Sequence, residues 1–291
     1  MMTINDILNM ITALLIAWSC SLLGVFLVLR KMVMVGDAIS HSVLPGVVIA
    51  FLITSQTESV LILVGAAVFG VITTIIIDFL YKKLKLQEDA SIGLTFTWLF
   101  ALGVLLIAFF TGNNAHIDQE CVLFGEIGLS FLDKIVVGNY LIGTKSIWML
   151  PTLLLIVLLV VVKGFKGFQI LSFQGDYADA KGISTTFWHY LLMILVSLVT
   201  VFSFESVGAI LVVGFLVVPP ATAYLISTNL RTMHVLSLVF ATFSVIVGYL
   251  TALFLDVSIG PTIVCISGIV FFFTFLTQRL VLTAKSSHKT H

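Results

Sequence analysis

Asp37 and His41 stand four residues apart in the block Gly36-Asp-Ala-Ile-Ser-His-Ser-Val-Leu-Pro-Gly46, inside a run of apolar residues with no other ionisable side chain. On a helix that spacing stacks both on one face, about one turn apart. A charged side chain in a hydrocarbon core costs at least about 2.5–3.5 kcal/mol, so the pair needs a compensating partner. A carboxylate and an imidazole are natural ligands for a first-row divalent ion. Two ligands are too few for a tight site. Two copies of the chain about a two-fold axis would supply two carboxylates and two imidazoles. The alternative is an intrahelical Asp–His pair that merely satisfies itself. Gly36, Pro45 and Gly46 flank the pair and would let backbones approach closely and free carbonyl groups. Ser40 and Ser42 read as small residues at a helix contact.

The elements that hold this pair follow from composition. Of 291 residues, 60% are hydrophobic and 10% charged, against about a quarter charged in a soluble domain. With a mean hydropathy of +1.21, the bulk solvent of this chain is lipid. The expected fold is an all-α integral membrane protein, one domain over 1–291. Segments of about 20 apolar residues predict nine spans: 7–29, 33–53, 60–80, 91–111, 147–163, 186–204, 208–227, 235–255 and 262–280. Eight to ten remain compatible, because the mixed stretch 112–146 reads as re-entrant or interfacial, centred on 119–143. The first run lacks a basic flank and a small-residue cleavage site, so it reads as a retained span.

Cation placement sets the orientation. If the loops after the odd-numbered spans are cytoplasmic, they hold twelve of the 14 Lys and Arg, leaving Lys134 and Lys145 outside. The N-terminus is then outside and the C-terminus cytoplasmic. Lys+Arg and Asp+Glu are 14 each, so charge gives no sign of a nucleic-acid partner. The cysteines, Cys20, Cys121 and Cys265, form no CxxC or CxH pattern. The sequence has no GxxxxGK[ST] phosphate loop, so the chain is not expected to bind ATP, and no HExxH protease motif. Membrane enzymes built on a metal usually need three or more ligands and a general base. An enzyme is therefore not expected.

Other ionisable residues have plainer readings. Asp78 precedes Lys82 by four and is expected to pair with it. Glu205 and Asp256 read as helix ends at the water interface, and His189 and His234 as solvated or capping residues. His116, Asp118, Glu120 and Glu126 lie in an outer stretch. They could form a metal entry funnel, or be solvated charges.

The GDAISHSVLPG block, led by Arg30, closely resembles the signature of the permease subunits of bacterial ABC importers for zinc, manganese and iron. Glu88-Asp-Ala-Ser-Ile-Gly93, Ala101-Leu-Gly103, Val207-Gly-Ala-Ile-Leu-Val-Val213 and Pro219-Pro-Ala-Thr-Ala223 agree with that family, and the resemblance covers about 20–280. The HxD…LxGE look of the outer stretch is similar to the manganese/iron branch. The resemblance implies a multi-pass protein of the bacterial cytoplasmic membrane. It implies a second permease subunit, identical or related, a cytoplasmic ABC ATPase dimer and an extracytoplasmic metal-binding protein. The family's metal-contacting Asp and His fall on Asp37 and His41. The transported ion would be Mn²⁺, Fe²⁺ or Zn²⁺, with no permanently bound cofactor. The stretch 163–184, with Gly175, Asp176, Ala178, Ala180 and Gly182, falls where the family couples to its ATPase. A transporter or channel independent of ATP is the alternative from the residues alone.

Overall fold

In lipid every backbone N–H and C=O must be satisfied within the protein, which leaves helices as the natural crossing element for runs of this length. The computed structural model describes residues 4–54, 60–110, 134–137, 140–173, 182 and 184–287. It contains helices α1 (Ile4–Leu29), α2 (Met34–Ser42), α3 (Leu44–Thr54), α4 (Val60–Lys82) and α5 (Glu88–Phe110), and strands β1 (Lys134–Val137) and β2 (Tyr140–Thr144). It continues with α6 (Lys145–Phe173), α7 (Thr185–Val207), α8 (Ala209–Ile226), α9 (Leu230–Leu255) and α10 (Ile259–Ser287). Among the described residues nine helical segments are long and apolar enough to cross a bilayer, and α2 and α3 together make one of them. The expected span count therefore holds.

One expectation changes, and another falls mostly outside the described residues. The stretch read as re-entrant, centred on 119–143, lies outside the described residues except for 134–137 and 140–143, where β1 and β2 pair antiparallel, Val137 opposite Tyr140. That hairpin departs from an otherwise helical fold. The span expected at 147–163 belongs to a helix that continues to Phe173. Its extension is anchored by Phe168, fully buried, with its ring centroid 5.0 Å from that of Phe26 and 5.1 Å from that of Trp188. Lys163 and Lys166 are exposed on this helix, where their long stems can carry charge out to water. Hence the stretch 163–184 starts as helix, not loop.

The bundle is organised around α1. Its Ile16, Ala17, Cys20, Leu23, Phe26 and Leu27 are wholly buried, and it packs against α6, α7, α8 and α9. By contrast, α10 at the periphery exposes Phe272 and Phe273, as expected of a surface facing lipid.

Sharp turns carry the chain between helices. At the end of α1, Lys31 adopts φ 61°, Lys31 N–H donates to Val28 C=O and Met32 N–H to Leu27 C=O. This is a Schellman closure with Arg30 as C-cap. It lets α2 begin four residues after Arg30. Between α7 and α8 a single residue, Gly208 at φ 81°, ψ 163°, ends one helix and starts the next. That backbone conformation is essentially restricted to glycine. Asp256, exposed at φ 52°, closes α9, matching its expected place at a helix end.

Candidate metal site

The nine residues of α2 bury Val35, Gly36, Ala38, Ile39, Ser40 and Ser42. Each small residue has a packing reason. A Cβ on Gly36 would lie 2.8 Å from Leu216 Cδ1 of α8, so α2 and α8 touch there. Ser40 returns its hydroxyl to the Gly36 carbonyl at 2.8 Å, and Ser42 Oγ meets Thr73 Oγ1 of α4 at 2.6 Å. These serines are helix-contact residues, as expected.

What α2 leaves accessible is the ionisable pair. Asp37 and His41 side chains are 42% and 37% exposed, with His41 Nε2 3.7 Å from Asp37 Oδ1. That separation exceeds hydrogen-bond length, so both groups keep free coordination positions. They line an open cavity of about 520 Å³ whose other walls are Ala209, Ile210, Val213, Gly214, Val217 and Val218 of α8 and Val264 of α10. Every wall residue except the pair is apolar or glycine. On its other side the imidazole approaches Phe96 and Phe100 of α5, with centroids 6.0 and 6.1 Å away.

The span breaks just beyond the pair. Pro45 has no N–H to give the His41 carbonyl, and the helix is interrupted at Val43. Past the break α3 crosses α4 closely. A Cβ at Gly65 would lie 2.6 Å from the Gly46 carbonyl oxygen, and one at Gly46 would strike the Gly65 carbonyl. Gly46 is thus a close-approach position, and Pro45 the point where α2 is separated from that crossing.

Among the described residues no three His, Cys, Asp or Glu side chains gather as a metal cage. One chain therefore offers the pair alone. His116, Asp118, Glu120 and Glu126 lie outside the described residues, as do Gly175, Asp176, Ala178 and Ala180. Gly182 is described, with φ 76°.

Two histidines behave differently from their sequence reading, and Asp78 gains a partner beyond the expected one. His189 is not solvated; it is buried against Asp78 and Arg30. His234 is also buried, its Nδ1 2.9 Å from the Leu230 carbonyl and its ring centroid 4.9 Å from that of Phe26. Since a carbonyl only accepts, Nδ1 donates there. Asp78 does pair with Lys82, at 2.8 Å, but it has the second partner His189. The sequence signal for this network was weak. Each member sits near a span end, and nothing local says which ends meet.

Among the described residues, nine helical segments long and apolar enough to cross a membrane, with an ionisable pair exposed in a cavity between them, mark an integral membrane protein of the transporter class. The chain belongs to the ABC 3 transport family, whose model matches residues 6–278. It is a multi-pass membrane permease of that family. It is 42% identical over 265 residues, 91% of this chain and 89% of the relative, to the manganese transport system membrane protein MntD of Bacillus subtilis. It is 36% identical to the zinc transport system membrane protein TroD of Treponema pallidum, over 91% of this chain and 71% of the relative. Among solved structures, PsaBC from Streptococcus pneumoniae in complex with Fab matches with TM-score 0.74 and 33% identity, over 92% of this chain and 89% of that one.

Proposed function

We propose that this chain is the membrane subunit of an ATP-driven importer of divalent transition metal ions, Mn²⁺ foremost and Fe²⁺ or Zn²⁺ as alternatives. The supporting observation is the Asp37–His41 pair, accessible, unclosed by hydrogen bonding and set in an otherwise apolar cavity. An ion entering that cavity meets one carboxylate and one imidazole, ligands that suit Mn²⁺, Fe²⁺ and Zn²⁺ alike. The named relatives of high identity favour manganese, with zinc represented as well. A second permease copy would double the ligand set. Few ligands suit a path that must release its cargo.

The orientation inferred from cations puts the ends of α1, α4, α6, α8 and α10 at the cytoplasm. A separate ATPase dimer would dock there, with 163–184 among its contacts, and an extracytoplasmic protein would deliver the metal to the other face. His116, Asp118, Glu120 and Glu126 would meet the ion or that protein first. ATP hydrolysis on the partner then alternates access to the cavity.

The test is Mn, Fe and Zn accumulation in cells lacking their own uptake systems, with the chain expressed alone or with its ATPase and binding protein. The expected result is uptake only when all parts are present, lost in Asp37→Ala and in His41→Ala while the complex still assembles. Uptake at the normal rate in either variant would remove the pair from the path. Uptake by the chain alone would make it an ATP-independent transporter.

A further inference from the structure

Outside the Asp37–His41 pair, four ionisable side chains, Arg30, Asp78, Lys82 and His189, gather into one cluster. Arg30 Nη1 lies 2.7 Å from His189 Nδ1. His189 Nε2 lies 2.8 Å from Asp78 Oδ2, the oxygen that Lys82 Nζ also meets at 2.8 Å. A guanidinium has donors and no acceptor, so Arg30 donates to Nδ1 and the single ring proton of a neutral imidazole sits on Nε2, which meets Asp78 as a close charged contact and not as an aligned hydrogen bond. The His189 and Asp78 side chains are only 4% and 5% exposed. One ring thus joins three helices, accepting from a cation at the cap of α1 and facing an anion of α4 from the start of α7.

The positions of its partners along the chain give this joint a direction. His189 lies five residues after Ser184, the N-cap whose hydroxyl accepts from Phe187 N–H at 3.2 Å. Arg30 is the C-cap of α1, and the Schellman turn after it runs straight into α2, whose first turn carries Asp37. α2 also packs on α4 and on α7. A displacement of the first turn of α7 therefore reaches Arg30 through one hydrogen bond, and Asp37 through one tight turn.

We propose that His189 is a positioning residue that transmits movement of the first turn of α7, which follows the ATPase contact proposed above, to the Asp37–His41 pair, through Arg30 and the α1–α2 turn, with Asp78 fixing the ring. The inference rests on the importer reading above. It assigns His189 no contact with the ion. If the cluster only held helices together, its loss would lower folded protein, ATP hydrolysis and import in step. A transmitting joint instead separates hydrolysis from import.

The measurement is ATP hydrolysed per Mn²⁺ imported, in proteoliposomes holding the full complex of this chain, its ATPase and its binding protein. In His189→Leu, which removes both polar contacts at similar size, hydrolysis is expected to continue near the unaltered rate. Import should fall and the ratio rise by about ten-fold, a typical coupling between sites. His189→Gln keeps one acceptor and one donor and is expected to restore most of the ratio. Arg30→Met opens the joint from the α1 side and gives a second reading should His189→Leu not assemble, with the same rise expected. An unchanged ratio in an assembled variant, beside an unaltered complex that imports Mn²⁺, overturns the joint and leaves the importer standing. An unaltered complex that imports no Mn²⁺ refutes the importer reading, and the joint falls with it.

Discussion

Asp78 and Lys82 form an ion pair at 2.8 Å, yet removing one partner should cost far more than removing the other. The Lys82 side chain is 51% exposed and that of Asp78 5%. Lys82→Ala takes away a cation that water already solvates, and exposed pairs of this kind contribute about 0.2–1 kcal/mol. Asp78→Ala removes the anion facing His189 Nε2, 2.8 Å away, and leaves buried polar groups without their counterpart. It also withdraws a counter-charge from Arg30, whose guanidinium burial pushes below its ordinary value while Asp78 and Glu88 pull it back up. Breaking a buried pair from one side costs about 3–5 kcal/mol. For domains of 150–250 residues each kcal/mol moves Tm by about 2–4 °C. The expected losses are therefore roughly 6–20 °C for Asp78→Ala and at most about 4 °C for Lys82→Ala. Asp78→Asn, which keeps an acceptor for His189, should fall between them. The assay is thermal unfolding of the purified chain in nanodiscs, followed by tryptophan fluorescence at one scan rate, since membrane proteins commonly unfold irreversibly. Equal losses in the two alanine variants would refute the argument. They would mean that Asp78 is as well solvated as Lys82 and that no buried network exists.

Two backbone positions give further tests. Gly208→Ala forces a Cβ onto φ 81°, ψ 163° and should cost about 1–3 kcal/mol; an unchanged unfolding temperature would show that α7 and α8 are not joined by that single residue. Gly65→Ala places its Cβ 2.6 Å from the Gly46 carbonyl oxygen. Over-packing of this kind should cost about 1–3 kcal/mol, and Gly93→Ala, with no neighbour within 4 Å of its Cβ, serves as the control. Equal behaviour of these two variants would put the α3–α4 crossing elsewhere.

The spans were legible because lipid enforces them. A crossing helix must be apolar along its whole length, so the sequence shows it without knowledge of neighbours. Asp37 and His41 were legible for the converse reason: an ionisable residue inside such a run is costly at its own position, whatever surrounds it. The extension of α6 was not visible because Lys163 and Lys166 end the apolar run. Cations mark where a helix leaves the hydrocarbon, and the helix itself continues as long as something packs on it, here Phe168 against Phe26 and Trp188.

The His189 network was hidden for a deeper reason. Its bonds join residues 159 apart in the case of Arg30 and His189, and local pattern carries no information about such a pairing. Near a span end, a histidine reads as a water-facing residue, because most polar groups at that depth can reach water. Here α1 stops short. The Schellman turn at Lys31 folds the chain back into the bundle before it clears its neighbours, which keeps Arg30 partly buried and within reach of α7. The same early turn brings α2 in close to α8, with Gly36 against Leu216, and so sets Asp37 and His41 facing the cavity wall. One short turn thus determines both the depth of the ionisable pair and the burial of the network behind it. A perturbation at Lys31, where only a left-handed residue fits, should therefore disturb the two sites together.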